Sequence, residues 1–257
     1  VPAIADAAAA MAHTDIEIDG DGIARGLYLK AGIGSAYWPA LGLALADPDG
    51  PLPGLADPDA ATPAPYQWRR NNYVRLRYAG PPHSFPQLSY IDVLEGRVPA
   101  DMLRDRRVIV GMTASGLAPR LLTPTSKERW MSGSEYQANV ASMLLGGHAI
   151  LPLQADMQAG IVVLLVLLCG LGLALPPPPW LAALLTVPGP LLLSSVLLRG
   201  FDTWFAPVAA LAGIVLMLLA STLWRLRYLQ RLANRDSLTG LGNRRHFEQA
   251  LQLEHDD

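Results

Sequence analysis

The sequence predicts an α/β domain over residues 1–156, followed by three transmembrane helices. Residues 158–223 hold only two charged side chains, Arg199 and Asp202, whereas residues 1–156 alternate short apolar runs with turns rich in Gly, Pro and Asp. A helix needs roughly 20 apolar residues to cross a bilayer, and this block is long enough for three. The alternative is a buried helical hairpin in a soluble core, but such helices are shorter and usually carry a polar face.

Two breaks divide the apolar block into three spans. Four consecutive prolines and the loop Arg199–Asp202 separate the spans 158–175, 180–198 and 204–223. Residues 225–245 carry six Arg against one Asp, and positive residues beside a span stay in the cytoplasm. We therefore expect a cytoplasmic C-terminus, residues 1–156 outside, and a multi-pass protein of the bacterial inner membrane.

An exported domain needs an export signal, and the first residues do not provide one. Ala7–Ala12 is too short and has no basic flank. Because the chain starts at Val1 and stops abruptly at Asp257, we expect further segments at both ends, an earlier span among the options. The single cysteine, Cys169, lies inside the first span and is expected to be an apolar filler.

The first element of the outer domain is a predicted hairpin. Asp19-Gly20-Asp21-Gly22 has the composition of a tight turn between the alternating runs Asp15–Ile18 and Ile23–Leu29. A calcium loop is the weaker alternative, since Lys30 stands where an EF-hand-type loop needs Glu. The next predicted elements are a helix over Trp38–Ala46, a proline-rich loop over Asp47–Pro65, a strand over Asn72–Tyr78, short helices over Ser89–Glu95 and Pro99–Arg104, and a helix over Ser134–Leu145.

The apolar run Arg107–Gly111 predicts a central strand that is buried on both faces. Ligands of α/β sheets collect at the carboxyl ends of strands, so the loop that follows is the candidate ligand site. Its candidate residues are Thr113, Ser115 and Gly116, and an ordinary turn is the competing interpretation. No metal site is expected, because the five His stand apart from one another.

A series of short motifs runs through this domain: Asp19–Gly22 with Arg25, Ser89-Tyr90 with Asp92-Val93-Leu94, Val108–Thr113, Gly116-Leu117, Thr123-Pro124, and Gly133 with Ala138-Asn139. In this order the motifs resemble the second family of CHASE domains, which are extracytoplasmic sensors of bacterial cyclases, kinases and phosphodiesterases. The resemblance covers roughly residues 12–150. Two positions depart from the family pattern: Pro119 replaces an acidic residue, and Gln137 replaces a frequent His.

After the third span, residues 224–235 predict an amphipathic juxtamembrane helix. This helix could pair in a dimer or lie on lipid headgroups, and the two roles are compatible. A polar segment with two glycines follows this helix, and its distinctive residues are Asp236, Leu238, Thr239, Gly240, Leu241, Asn243, Arg244 and Arg245. They match every fixed position of the motif D-x-L-T-G-L-x-N-R-R, so the segment 236–257 resembles the start of an α+β GGDEF domain.

This second resemblance implies that the complete polypeptide is a diguanylate cyclase, which condenses two GTP into cyclic di-GMP. It implies magnesium as cofactor, a homodimer in which each subunit presents one GTP, and no nucleic-acid partner. The catalytic residues of the family lie downstream of the motif, so none is expected in this chain. The alternatives are a degenerate GGDEF domain, or one joined to a phosphodiesterase, that binds or degrades cyclic di-GMP. A transporter ranks last, because the spans lack ionisable groups.

Overall fold

The computed structural model describes residues 6–47, 49–56, 64–114, 116–174 and 188–233. The chain divides into two compact units: the first contains Val1–Gln154 and Val196–Phe205, and the second contains Ala155–Ser195 and Ala206–Asp257. The residues of the opening motif, Asp236 to Arg245, lie outside the described part.

The first unit contains a three-stranded antiparallel sheet in the order β2-β1-β3. Strand β1 covers Gly26–Gly34, β2 covers Trp38–Pro39 and β3 covers Ala64–Arg75. Leu27 and Leu29 of β1 are fully buried, and the side chains between and after them are partly exposed. This alternation follows from the pleat of a strand, and it gives the sheet one face for the core.

The first unit also contains the helices α1 (Leu41–Ala46), α2 (Tyr90–Leu94) and α3 (Gly133–Leu145). A 3-10 turn covers Ala100–Met102, and the short strands β4 (Arg120–Leu121) and β5 (Met131–Ser132) pair with each other. Helix α3 contributes to the core together with β1, β3 and α1. Its inward side chains are Tyr136, Val140 and Met143.

Helix α1 lies close to α3 because Gly42 has no side chain. A Cβ atom at Gly42 would come within 2.5 Å of the Val140 side chain. Burial of a large apolar side chain stabilises a fold by about 1.5–3 kcal/mol, so this close contact matters for the core.

Several local predictions are confirmed. Gly22 N–H donates to the carbonyl of Asp19 at 2.8 Å and closes the predicted turn. The predicted strand Asn72–Tyr78 is confirmed in part: β3 begins earlier, at Ala64, and ends at Arg75, while Val74 and Leu76 are buried as predicted. Helix α3 begins one residue before the predicted start and ends at Leu145, as predicted.

The predicted helix Trp38–Ala46 is wrong at its start. Trp38 and Pro39 pair with Ala31 and Lys30 of β1 as strand β2, and the helix begins only at Leu41. The apolar pattern there also suits a short strand, and the neighbouring β1 backbone decides between the two.

The prediction of a buried central strand at Arg107–Gly111 is also wrong. The segment forms no strand, and the side chains of Val108 and Val110 are 51% and 74% exposed. An apolar β-branched run shows which residues favour a sheet, but a strand forms only beside a partner backbone. Both neighbours of β1 are antiparallel strands from other segments, and Arg107–Gly111 pairs with neither of them.

Among the described residues, the second unit contains two helices that are long and apolar enough to cross a membrane, α4 (Ala155–Ala174) and α6 (Val208–Ala233). A shorter helix, α5 (Pro188–Phe201), lies between them in the sequence and ends in the first unit. Helix α5 holds the described part of the second predicted span, whose residues 180–187 lie outside the described ranges. It continues through Arg199 to Phe201, so the predicted break at Arg199–Asp202 is displaced towards Asp202.

Helices α4 and α6 pack through small residues. A Cβ atom at Gly213 of α6 would lie 2.8 Å from the Val166 side chain of α4, and one at Gly170 of α4 would collide with Met217 of α6. Close approach at glycine is typical of helix pairs in membranes, where packing replaces the hydrophobic effect. Glycine at these two positions therefore sets the distance between the helices.

Helix α6 begins four residues after the predicted start of the third span. The reason is strand β7 (Thr203–Trp204), which pairs in parallel with β6 (Leu151–Pro152). From Val208 the helix runs to Ala233 without a break. The sequence predicts this continuity, since it has no Pro or Gly from Ile214 to Asp236.

Candidate functional site

The predicted ligand loop is exposed in the described residues, and its role as a ligand site stays a prediction. Thr113 and Gly116 are both exposed, and Ser115 lies outside the described ranges. Leu117 and Ala118 donate their N–H groups to the carbonyl of Ala114 at 3.2 Å, which makes the segment a turn. The rule that led to this loop concerns the ends of parallel strands, whereas the sheet is antiparallel and the segment before the loop is not a strand.

Helix α3 instead presents buried polar side chains to the loop that follows β3. Oε1 of Glu135 accepts N–H groups from His83 at 2.6 Å and Ser84 at 3.1 Å. Oδ1 of Asn139 accepts from Ala79 N–H at 2.9 Å, while its Nδ2 donates to the carbonyl of Glu135 at 2.9 Å. These bonds satisfy buried polar groups and fasten the loop to the helix.

Two further side chains of α3 hold β1 and α1. The hydroxyl of Tyr136 donates to the carbonyl of Gly26 at 2.8 Å, and Oε1 of Gln137 accepts from Gly42 N–H at 3.0 Å. Burial raises the pKa of Tyr136 well above its usual value, so the hydroxyl stays protonated and available as a donor. Within the part of the chain that the structure describes, Gln137 Nε2 has no hydrogen-bond partner. Through these hydrogen bonds, Gln137 connects α3 to α1, and Asn139 connects α3 to the loop that follows β3.

The sequence contained a signal for part of this arrangement. Ser132-x-x-Glu135 has the spacing of a capping box, and the Ser132 hydroxyl accepts the Glu135 N–H at 3.2 Å. The Glu135 carboxylate departs from that motif, because it binds the His83–Ser84 backbone.

The acidic turn is held by arginine. Arg25 contacts Asp19 at 2.8 Å and Asp21 at 2.7 Å, and its hydrogen bond lowers the pKa of Asp21 to about 2. Both carboxylates are already paired with the Arg25 guanidinium, so the structure favours the plain turn over a calcium loop. Among the described residues, no group of three or more His, Cys, Asp or Glu side chains is arranged to hold a metal ion.

A second polar group surrounds Asp202, within the part of the first unit that residues 196–205 contribute. Arg77 forms an ion pair with Asp202, and His148 Nδ1 lies 3.5 Å from the same carboxylate. The guanidinium of Arg75 lies 4.7 Å from the ring centroid of Trp204, within the range of a cation–π contact. All five residues belong to the first unit. No sequence pattern predicts this group, and its only signal in the sequence is that Asp202 is the one acidic residue of the apolar block 158–223.

Backbone hydrogen bonds run alongside these side chains. Leu151 N–H donates to the carbonyl of Asp202 at 2.8 Å, and Leu153 N–H donates to that of Trp204 at 3.0 Å. Arg75 and Ile150 exchange N–H···O bonds of 2.8 and 3.3 Å. The arrangement contains no nucleophile with an adjacent base, so it can fix the position of chain segments but offers no evident chemistry.

The described residues thus combine an α/β unit with two helices that are long and apolar enough to cross a membrane. The family model of the CHASE2 domain matches residues 1–174, and the chain therefore belongs to the CHASE2 family. CHASE2 is an extracytoplasmic sensor domain, so the first unit is a sensor. Neither a curated protein nor a solved structure matches the chain.

Proposed function

We propose that the complete polypeptide is a receptor of the bacterial inner membrane whose CHASE2 domain controls a cytoplasmic diguanylate cyclase. One observation carries the proposal. The opening motif of GGDEF domains, matched at every fixed position from Asp236 to Arg245, follows directly on α6. A continuous helix between a span and an output domain transmits a shift or rotation that a flexible linker would absorb.

The pairing of β6 with β7 supports a topology of three crossings. Leu151 precedes α4 and Thr203 precedes α6, and the two residues are partners in one parallel ladder. Paired strands lie on the same side of a membrane, since an unsatisfied backbone group in lipid costs several kcal/mol. If α4 crosses away from that side, the chain has to return before Thr203. The second crossing is therefore proposed to lie within residues 175–201.

The end of α6 supports a cytoplasmic C-terminus. The rings of Trp224 and Tyr228 stack with their centroids 5.8 Å apart, and Arg225 and Arg227 are interleaved with them. Aromatic rings concentrate at the headgroup level, and Lys and Arg concentrate on the cytoplasmic side. This pattern is the one expected where a span meets anionic lipid.

The resemblance implies two GTP and magnesium as substrate and cofactor of the output domain. Magnesium would offset the charge of the phosphates as one GTP on each subunit of a homodimer meets the other. The residues that bind GTP and magnesium in the family lie downstream of the motif. This chain supplies the sensor, the spans and the connecting helix.

The experiment measures cyclic di-GMP formed from GTP and magnesium by membranes that carry the complete polypeptide. Two variants test control by α6: an insertion of two residues after Arg231 and an insertion of seven. Two residues rotate the following chain by about 200°, whereas seven come within about 20° of two full turns.

We expect the first insertion to change the rate strongly and the second to change it far less. Equal rates at equal membrane abundance would mean that α6 is only a tether. GTP or cyclic di-GMP binding without product would instead indicate a degenerate GGDEF domain.

A further inference from the structure

The sheet of the first unit continues through backbone hydrogen bonds to the segment before α6. Strand β3 ends at Arg75, which bonds with Ile150 in both directions. The next residues form β6, and β6 pairs with β7. One hydrogen-bonded path therefore connects the sheet of the sensor to Thr203 and Trp204.

Side-chain contacts fix the same segment. Asp202 has a φ of +49°, in the left-handed region that few residues other than Gly adopt. Its carboxylate forms the ion pair with Arg77 and lies near His148. The Arg75 guanidinium lies over the ring of Trp204 in a cation–π contact. An uncommon backbone conformation persists when surrounding contacts hold it, as they do here.

Little chain separates this contact from α6. Only residues 205–207 lie between β7 and α6, where Phe205 is fully buried and Pro207 has a fixed φ. The corresponding connection between β6 and α4 contains only Leu153 and Gln154. The connecting segment is too short to absorb much movement, so a displacement of β7 relative to β6 would be transmitted to the start of α6.

We propose that the β6–β7 pair, with Arg77 and His148 around Asp202, is a clamp through which the sensor sets the position of α6. The proposal rests on the proposed function, because the position of α6 has a consequence only if an output domain follows it. The clamp has a closed state, seen here, and an open state in which β7 leaves β6. Arg77 and Asp202 are 41% and 29% exposed, so water competes with their ion pair.

The first test asks whether the clamp is closed in the membrane. In the complete polypeptide with Cys169→Ser, the pair Leu151→Cys and Thr203→Cys should form a disulfide on mild oxidation, because directly paired strand residues lie within disulfide reach. The matched control, Met102→Cys with Thr203→Cys, should not. Equal cross-linking of the two pairs, or none in either, overturns the closed clamp.

The second test asks whether the clamp controls α6. Unlike the first test, it does not substitute Leu151. Arg77→Asp and Asp202→Arg each break the ion pair, and together they rebuild it with reversed charge. We expect each single variant to change basal cyclic di-GMP synthesis by about fivefold or more, the lower end of coupling between distinct sites, and the double variant to restore it. Arg97→Asp, which breaks an exposed ion pair elsewhere, should leave synthesis unchanged. Single variants that behave like Arg97→Asp overturn the coupling.

A cyclase-independent measurement separates the two proposals. The maleimide-labelling rate of Tyr228→Cys, on α6, should change in each single variant and return in the double variant. If no protein makes cyclic di-GMP while labelling follows this pattern, the proposed output is wrong and the clamp stands. If cyclic di-GMP is made but neither synthesis nor labelling responds, the clamp is wrong and the output stands.

Discussion

Replacing Tyr136 with Phe tests how α3 is held against the sheet. Tyr136 is fully buried, and its hydroxyl donates to the carbonyl of Gly26 at 2.8 Å. Phenylalanine keeps the ring and removes only the donor, so the change creates almost no cavity. Leaving a buried carbonyl without its partner costs about 1–3 kcal/mol. A sensor of roughly 150 residues would then melt about 2–12 °C lower, since 1 kcal/mol corresponds to about 2–4 °C at this size.

The assay is thermal unfolding of the complete polypeptide in detergent, followed by tryptophan fluorescence. Tyr90→Phe is the matched control, because Tyr90 is 62% exposed, and its melting temperature should stay near that of the wild type. Equal melting temperatures for Tyr136→Phe, Tyr90→Phe and the wild type would refute the account of how α3 is seated on β1.

Two further predictions concern pH and the membrane helices. Burial lowers the pKa of His13 below 6.5, so the unfolded chain takes up a proton that the folded domain rejects. Sensor stability should therefore fall as pH drops through and below about 6.5; a pH dependence equally steep in His13→Gln, by urea unfolding, would contradict this assignment. Gly213→Leu should weaken the α4–α6 contact by about 1–3 kcal/mol, whereas Gly160→Leu, with open space at its Cβ, should not. Unfolding in a detergent series distinguishes them, and equal losses would argue against the observed helix contact.

Local patterns explain which parts of the fold could be predicted. The turn at Asp19–Gly22, the inward side chains of β3 and the ends of α3 follow from turn composition, strand period and a glycine stop. Each of these signals acts over a few neighbouring residues. The run Arg107–Gly111 misled because hydrophobicity indicates a preference for burial and does not identify a partner strand.

The pairing of β6 with β7 and the contacts of Asp202 could not be predicted for a different reason. Strands β6 and β7 have two residues each, too few for any periodicity, and two predicted spans separate them in the sequence. Asp202 was visible only as a charge in a loop. Its partners, Arg77 and His148, come from segments that become neighbours only after the sheet has formed.

We propose that the sensor and the loop before α6 lie outside the cell membrane, while the end of α6 lies in the cytoplasm. Single cysteines in a Cys169→Ser background of the complete polypeptide test it through labelling of intact cells with a membrane-impermeant maleimide. We predict labelling of Tyr90→Cys and Phe201→Cys, both on exposed positions, and labelling of Tyr228→Cys only after the cells are permeabilised. Protection of Phe201→Cys together with labelling of Tyr90→Cys, or labelling of Tyr228→Cys in intact cells, would contradict the account.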